Sequence, residues 1–102
     1  MSRREKIEKL LEKEPDDVFL NFGLAMELVK ENEPEDALAR FDRVLQLDPR
    51  YHAAHFHKGS TLIALGRADE ARRVLTQGVA AARASGNTHA EGEMTELLAS
   101  VA

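Results

Sequence analysis

The sequence predicts an all-α protein of about six antiparallel helices arranged as stacked helical hairpins, and three observations carry this. Apolar residues recur at helical spacing through most of the chain. Helix-stopping signals fall at Pro15, Asn32, Pro49, Gly66 and Gly86, cutting the chain into helix-length segments. The sequence also partly lands on itself when shifted by 34 residues, the distance from Pro15 to Pro49. Phe22 then falls on Phe56, Leu28 on Leu62, Val29 on Ile63, Asn32 on Gly66, Ala37 on Ala71 and Phe41 on Leu75.

The first predicted helix covers residues 2–14. Ser2 is its N-cap, and Glu5 completes a capping box in which each side chain reaches the other's free backbone N–H. Ile7, Leu10, Leu11 and the stem of Glu14 form a narrow stripe, and Pro15 blocks continuation. The same shift puts Ile7 on Phe41, Leu10 on Val44 and Leu11 on Leu45, so this helix matches the second member of a hairpin. Asp16 or Asp17 caps the next helix, residues 17–31. Its apolar side chains (Val18, Phe19, Leu20, Phe22, Leu24, Ala25, Met26, Leu28, Val29) run nearly all round, so it needs cover on more than one side. Asn32 suits a left-handed C-terminal turn and Pro34 the first turn of the following helix.

That helix, 34–48, turns Ala37, Leu38, Phe41, Val44, Leu45 and Leu47 inward and charges such as Glu35, Asp36, Arg40 and Arg43 outward. Residues 51–65 repeat the inner-helix role. There Gly59 falls on Ala25, a small residue that lets the paired helix approach. Residues 68–84 form the next outer helix, with Ala71, Val74, Leu75, Val79, Ala81 and Ala82 inward and Arg72, Arg73, Gln77 and Arg83 outward. Gly78 inside it costs ~1 kcal/mol relative to Ala, which predicts a tight contact at that point. Ser85-Gly86-Asn87 breaks the chain, and Thr88 is expected to cap a last helix running to about Ser100. Its stripe of Ala90, Met94, Leu97, Leu98 and Val101 lies opposite Glu91, Glu93 and Glu96, as in a helix that closes one end of a core.

The period, with a turn at its middle and a proline at its end, resembles the tetratricopeptide repeat of small bacterial-type domain proteins. The family pattern is Trp-x2-Leu-Gly-x2-Tyr, then Ala-x3-Phe, then Pro. The first copy reads Asn21-x2-Leu24-Ala25-x2-Leu28, Ala37-x3-Phe41, Pro49. The second reads His55-x2-Lys58-Gly59-x2-Leu62, Ala71-x3-Leu75, with Arg83 in the proline slot. Asn21, His55, Lys58 and Arg83 depart from the pattern. The resemblance covers residues 15–83 well and the flanks more loosely. It implies a right-handed solenoid in one domain, 1–102: an outer-type helix (2–14), repeat 1 (16–49), repeat 2 (50–84) and a capping helix (88–101).

Bulk composition narrows the function. The length of 102 residues suits one domain, 43% apolar residues suffice for a helical core, and 31% charged residues suit a wet surface. A formal net charge of −4 argues against nucleic acid or an anionic membrane as the main partner, because both call for a basic face. The chain has no cysteine, hence no disulfide framework or thiol chemistry. No apolar run approaches the ~18 residues of a membrane span. The expectation is a soluble cytoplasmic protein.

No catalytic or metal constellation emerges. His52, His55 and His57 lack the spacing of a helical zinc pair with its glutamate, and His55 in the tryptophan slot reads as a packed imidazole. There is no nucleophile elbow and no phosphate-binding glycine loop. Neither metal nor cofactor is expected, nor enzyme activity. Arg67, Arg72, Arg73 and Arg83 read as a solvated outer face, opposite Glu91, Glu93 and Glu96.

The resemblance supplies the positive signal, since the family's inner helices line a concave surface that holds an extended peptide or a helix. The matching slots are Phe19, Phe22, Met26, Val29 and Lys30 on the first inner helix. On the second they are Ala53, Phe56, His57, Ser60, Ile63 and Ala64. Members that clamp a partner's terminal carboxylate carry lysines, asparagines and an arginine there. Here Phe22 and Met26 replace the first Lys and Asn, and His57 replaces the second Asn, so that clamp is missing. The expected function is a protein-interaction module, an adaptor or scaffold whose apolar groove takes a protein or peptide. The alternative is a structural protein that uses the same surface for homo-oligomerisation. Whether these side chains line an open groove or lie as core beneath the terminal helices is left open by the sequence.

Overall fold

In a computed structural model the chain is an all-α helical repeat. Residues 1–101 are described, and Ala102, the last residue of the expected 1–102 domain, lies outside the described residues. The helices are α1 (Arg3–Lys13), α2 (Val18–Lys30), α3 (Pro34–Leu47), α4 (His52–Ala64), α5 (Ala68–Ala84) and α6 (Thr88–Ala99), and no strand occurs among the described residues. Packing divides them into two compact units, Met1–Asp48 and Pro49 onward.

Local chemistry fixes the helix ends. Ser2 and Glu5 form the expected capping box on α1: Glu5 N–H donates to Ser2 Oγ at 3.1 Å and Ser2 N–H to Glu5 Oε1 at 3.2 Å. Asp17 caps α2 by accepting from Leu20 N–H at 2.8 Å. One turn type ends α2, α4 and α5. A residue with positive φ (Asn32 at 58°, Gly66 at 76°, Gly86 at 71°) sends the chain back. The N–H of the following residue then reaches a carbonyl five positions earlier: Glu33 to Leu28, Arg67 to Leu62 and Asn87 to Ala82, each at 2.9 Å. This 6→1 closure satisfies carbonyls that a helix end leaves orphaned. Pro34 then opens α3, where its missing N–H costs nothing. The cap of α6 differs from expectation. Asn87, not Thr88, accepts from Ala90 N–H at 3.0 Å, because its amide oxygen already reaches the third helical N–H and Thr88 begins the helix proper.

In the first unit α2 packs on both α1 and α3. Leu24, Ala25 and Leu28 are buried from α2, and Ala37, Leu38, Phe41 and Val44 from α3. Phe22 meets the fully buried Phe41 with ring centroids 6.1 Å apart. The stripe expected on α1 is narrower than predicted. Ile7 and Leu11 are buried, but Leu10 is 53% exposed because it points away from the edge along which α1 meets α2. Glu14, whose stem was expected to join the stripe, is exposed as well.

Two buried polar side chains in this unit carry no apolar signature in the sequence. Asn21 is fully buried; its Nδ2 donates to the carbonyls of Pro15 at 3.0 Å and Asp17 at 2.8 Å, and its Oδ1 accepts from Arg40 at 2.8 Å. It therefore ties the α1–α2 turn to α3. Glu27 is buried between Arg3 at 3.5 Å and Lys30 at 3.2 Å, so its charge is met on both sides.

In the second unit α5 packs on α4 and α6, and α4 and α6 also touch. Leu75, Ala82 and Met94 form a buried cluster against which Phe56, Ile63, Val79, Ala90, Leu97 and Leu98 rest. Two glycines set the helix spacing. A Cβ at Gly59 would lie 2.6 Å from Leu75 Cδ2, and one at Gly78 would lie 2.5 Å from Met94 Sδ and 2.7 Å from His55 Cβ. The tight contact expected at Gly78 is thus a three-helix contact. Of the arginines, Arg83 meets Glu91 at 2.9 Å, Arg67 just before α5 bonds to Glu70 in its first turn, Arg72 bonds to Asp69 on its own helix, and Arg72 also donates to the Val101 carbonyl at 2.7 Å.

Gly78→Ala separates packing from propensity. Helix propensity alone favours alanine by ~1 kcal/mol, yet the collision with His55 Cβ should reverse the sign and cost ~1–3 kcal/mol, read as a lower urea midpoint. Arg40→Ala should cost about 1–3 kcal/mol by stranding the buried Asn21 Oδ1, and a neutral result in the same assay would remove Arg40 from the turn's support.

Candidate functional site

The candidate residues lie on α2 and α4. On α2 the spacing Phe19, Phe22, Met26, Val29/Lys30 follows i, i+3, i+7, i+10/11, which keeps all five on one face. That face is in part open. Phe19 is 72% exposed and Val29 39% exposed, while Phe22 and Met26 are half-buried. Phe22 shares its ring with Phe41, so it serves the core as well as the surface. Lys30, the last of the five, has its Nζ 3.2 Å from the Glu27 carboxylate.

The corresponding face of α4 is built differently. Phe56 and Ile63 are half-buried against the cluster of α5 and α6. Ser60, Ala53 and Ala64 remain exposed. Phe56 also meets His57 edge-to-face, with ring centroids 5.2 Å apart. Here the terminal helix covers part of the predicted groove face, and in covering it makes a new concavity. A cavity of about 410 Å³ opens between α4 and α6, with His52, Ala53, Phe56 and His57 on one wall and His89, Ala90 and Glu93 on the other. The α6 wall was absent from the sequence reading, because helical spacing gives the faces of α6 but not the helix on which it lands. Glu93 pairs with His89 at 3.1 Å across one turn.

The chemistry of the site is that of contact. Burial pushes the His57 imidazole below its ordinary pKa, with Glu93 pulling the other way. His55, in the tryptophan slot, is 5% exposed; burial, then the neighbouring positive charges of His52 and Lys58, push it down, and a hydrogen bond to the Tyr51 backbone opposes them. Both are neutral hydrogen-bonding rings near pH 7. No group of three histidine or carboxylate side chains converges as a metal site among the described residues. No helix among them is long and apolar enough to cross a membrane.

Helical hairpins of fixed period, closed by the same turn and spaced by small residues, define a helical-repeat protein. The profile of the tetratricopeptide repeat family matches residues 28–90, and the chain belongs to that family. It is 35% identical over 94 residues to a TPR repeat-containing protein of Pseudomonas aeruginosa, covering 92% of this chain and 90% of the relative. The solution structure of a tetratricopeptide repeat domain protein from Salinibacter ruber superimposes with a TM-score of 0.80 at 30% identity, over 85% of this chain and 88% of that one. PcrH, in complex with the chaperone-binding region of PopD, shares the fold with a TM-score of 0.89 at 19% identity, over 96% of this chain and 74% of that one. Tetratricopeptide repeat domains generally mediate protein–protein interaction and are typically non-enzymatic adaptors.

The buried histidines make a pH prediction. Below about pH 6.5, the ordinary imidazole value, the unfolded chain takes up protons that folded His55 and His57 resist. Their contribution to stability is therefore full above that pH and lost as pH falls through the folded values. Urea unfolding between about pH 7.5 and 5 should show this loss, and His55→Gln should flatten it. An unchanged slope would mean that His55 does not carry it.

Proposed function

We propose that the chain is a protein-interaction module that takes a peptide or helix through the inner-helix faces of α2 and α4. The observation that carries this reading is on α2. Among the described residues the exposed large hydrophobic side chains are Met1, Leu10, Phe19 and Val29, and two of these four occupy partner-facing slots of the family pattern. An aromatic ring held in water gains nothing for the fold, and apolar surface of this kind marks contact sites. Met26 beside it supplies an adaptable apolar contact. On α4, Phe56 and Ile63 supply a floor that the core already steadies, while His57 and Ser60 orient a partner by hydrogen bonds. PcrH offers a precedent for a bound segment on the same fold. The missing carboxylate clamp directs the reading to apolar anchors instead of acidic C-termini on these two faces.

Phe19 is the residue that tests it, because Phe22 is tied to Phe41 and its loss would disturb the core. A binder selected from a peptide library against the full chain should perturb amide shifts on the named faces of α2 and α4. Burying one aromatic anchor is worth ~1.5–3 kcal/mol, so Phe19→Ser should weaken that binder at least about tenfold with no change in melting temperature. Added salt should matter little. Perturbations confined to α3 and α5, around Arg40, Arg43, Arg72 and Arg73, would make the outer helices the working surface. A mass that rises with concentration in light scattering, and falls back in Phe19→Ser, would favour self-association instead.

A further inference from the structure

The other two exposed apolar side chains are Leu10 on α1 and Met1 just before its N-cap, on a surface that this reading does not use. The helix has a clear division of labour. Ile7 and Leu11 are its packing residues. Its arginines are taken up in ion pairs, Arg3 with Glu27 and Arg4 with Glu8, Glu31 and Glu33. Its lysines are not: Lys6, Lys9 and Lys13 form no ion pair among the described residues. They fall at i, i+3 and i+7 with Leu10 at i+4, so one exposed face carries three ammonium groups around a leucine. A shallow cavity of about 380 Å³ lies on that face, lined by Met1, Lys6, Lys9, Leu10, Glu12 and Lys13. Local charge runs against the chain as a whole. α1 has five basic and three acidic residues, whereas the full sequence has 14 Lys and Arg against 18 Asp and Glu.

We propose that this face of α1 is a second docking surface, for an acidic protein segment that places one apolar side chain over Leu10 and carboxylates against Lys6, Lys9 and Lys13. Charge complementarity selects the occupant. A second copy docked face to face would bring two sets of three lysines together with a single Glu12 from each side to offset them, so net repulsion opposes it. An anionic membrane would accept the lysines, but an interfacial helix needs a broad apolar face. The apolar face of α1, Ile7 and Leu11, is spent on α2, and Glu12 would be pressed towards the lipid phosphates. An acidic segment meets the lysines without those penalties, and the leucine supplies the desolvated centre that separate exposed ion pairs lack.

The test uses the full isotope-labelled chain and a blocked helical peptide made of Glu, Ala and Leu, with a control in which every Glu is Lys. The acidic peptide should shift the amides of Lys6, Lys9, Leu10 and Lys13, and the basic control should not. Lys9→Glu combined with Lys13→Glu should weaken binding at least about tenfold, with affinity falling as salt rises. Leu10→Ser should also weaken it while the melting temperature stays unchanged, as its exposure requires. Phe19→Ser should leave this binding intact, which separates the α1 surface from the α2 and α4 faces whatever becomes of the latter. Four results would overturn the proposal. These are binding that survives the double charge reversal, shifts confined to α2 or α4, capture of phosphatidylserine vesicles through the same lysines with no response to the peptide, or a dimer in light scattering that Leu10→Ser dissolves.

Discussion

How closely α5 can approach α4 and α6 is decided at two backbone positions, and the rest of the second unit is built around that spacing. At Gly59 and Gly78 an added Cβ would stand within 2.7 Å of side-chain atoms on neighbouring helices. With the hydrogen there instead, Leu75 settles over α4, and Met94 and His55 settle on α5. His55 loses its water as a result, which lowers its affinity for a proton. Met94 carries α6 inward, and α6 then covers part of the face that Phe56 and Ile63 would otherwise offer to a partner. A helix-propensity cost of ~1 kcal/mol at Gly78 is thereby exchanged for core contact along three helices. The first unit has side chains in the corresponding places, Ala25 for Gly59 and Val44 for Gly78, and both are fully buried.

The family's aromatic slot is filled by a polar residue in each repeat, and only the first is fully satisfied by hydrogen bonds. Asn21 is satisfied completely, with two backbone carbonyls and the Arg40 guanidinium as partners, so it holds a turn in place. His55 is packed and neutral and has a hydrogen bond to the Tyr51 backbone, but its Nδ1 is buried without a hydrogen-bond partner among the described residues. An unpaired buried polar group costs on the order of 1–3 kcal/mol and a buried charge more, and neutrality spares His55 only the second cost. The two repeats therefore differ in their response to acid: the slot of the first cannot titrate, and that of the second can.

What was legible in the sequence was mostly local. The capping box of Ser2 and Glu5, the left-handed turn at Asn32, the proline opening α3 and the tight point at Gly78 follow from residues within a few positions or from the 34-residue shift. What was not legible depended on which helix lies beside which. Glu27 looks like a surface charge on α2 until Arg3 and Lys30 enclose it. Leu10 fits the helical stripe of α1 by spacing, yet α1 meets its neighbour along only part of that arc. The α6 wall of the histidine-lined cavity needed the landing place of the terminal helix, which periodicity does not carry. At the cap of α6, Asn87 and Thr88 are both good capping residues, and a one-residue choice between them lies below what pattern resolves.

The internal repeat also separates side chains that the fold requires from those that it does not. At buried positions the two copies keep their character: Ala25 and Gly59 stay small, Leu28 and Leu62 are both buried leucines, Ala37 and Ala71 are both fully covered, and Phe41 and Leu75 fill the same place as large apolar groups. Packing at near-crystalline density allows little else at such sites. Phe19 has Ala53 as its counterpart, and both are exposed. A helix of the same kind is thus made with a methyl group at this position, so neither helix formation nor core packing calls for a phenyl ring. The ring exposes apolar surface that water disfavours, and its removal would leave no cavity in the folded chain. Phe19 is therefore a side chain that can be changed without touching the core, which is what makes it the discriminating position for the proposed contact surface.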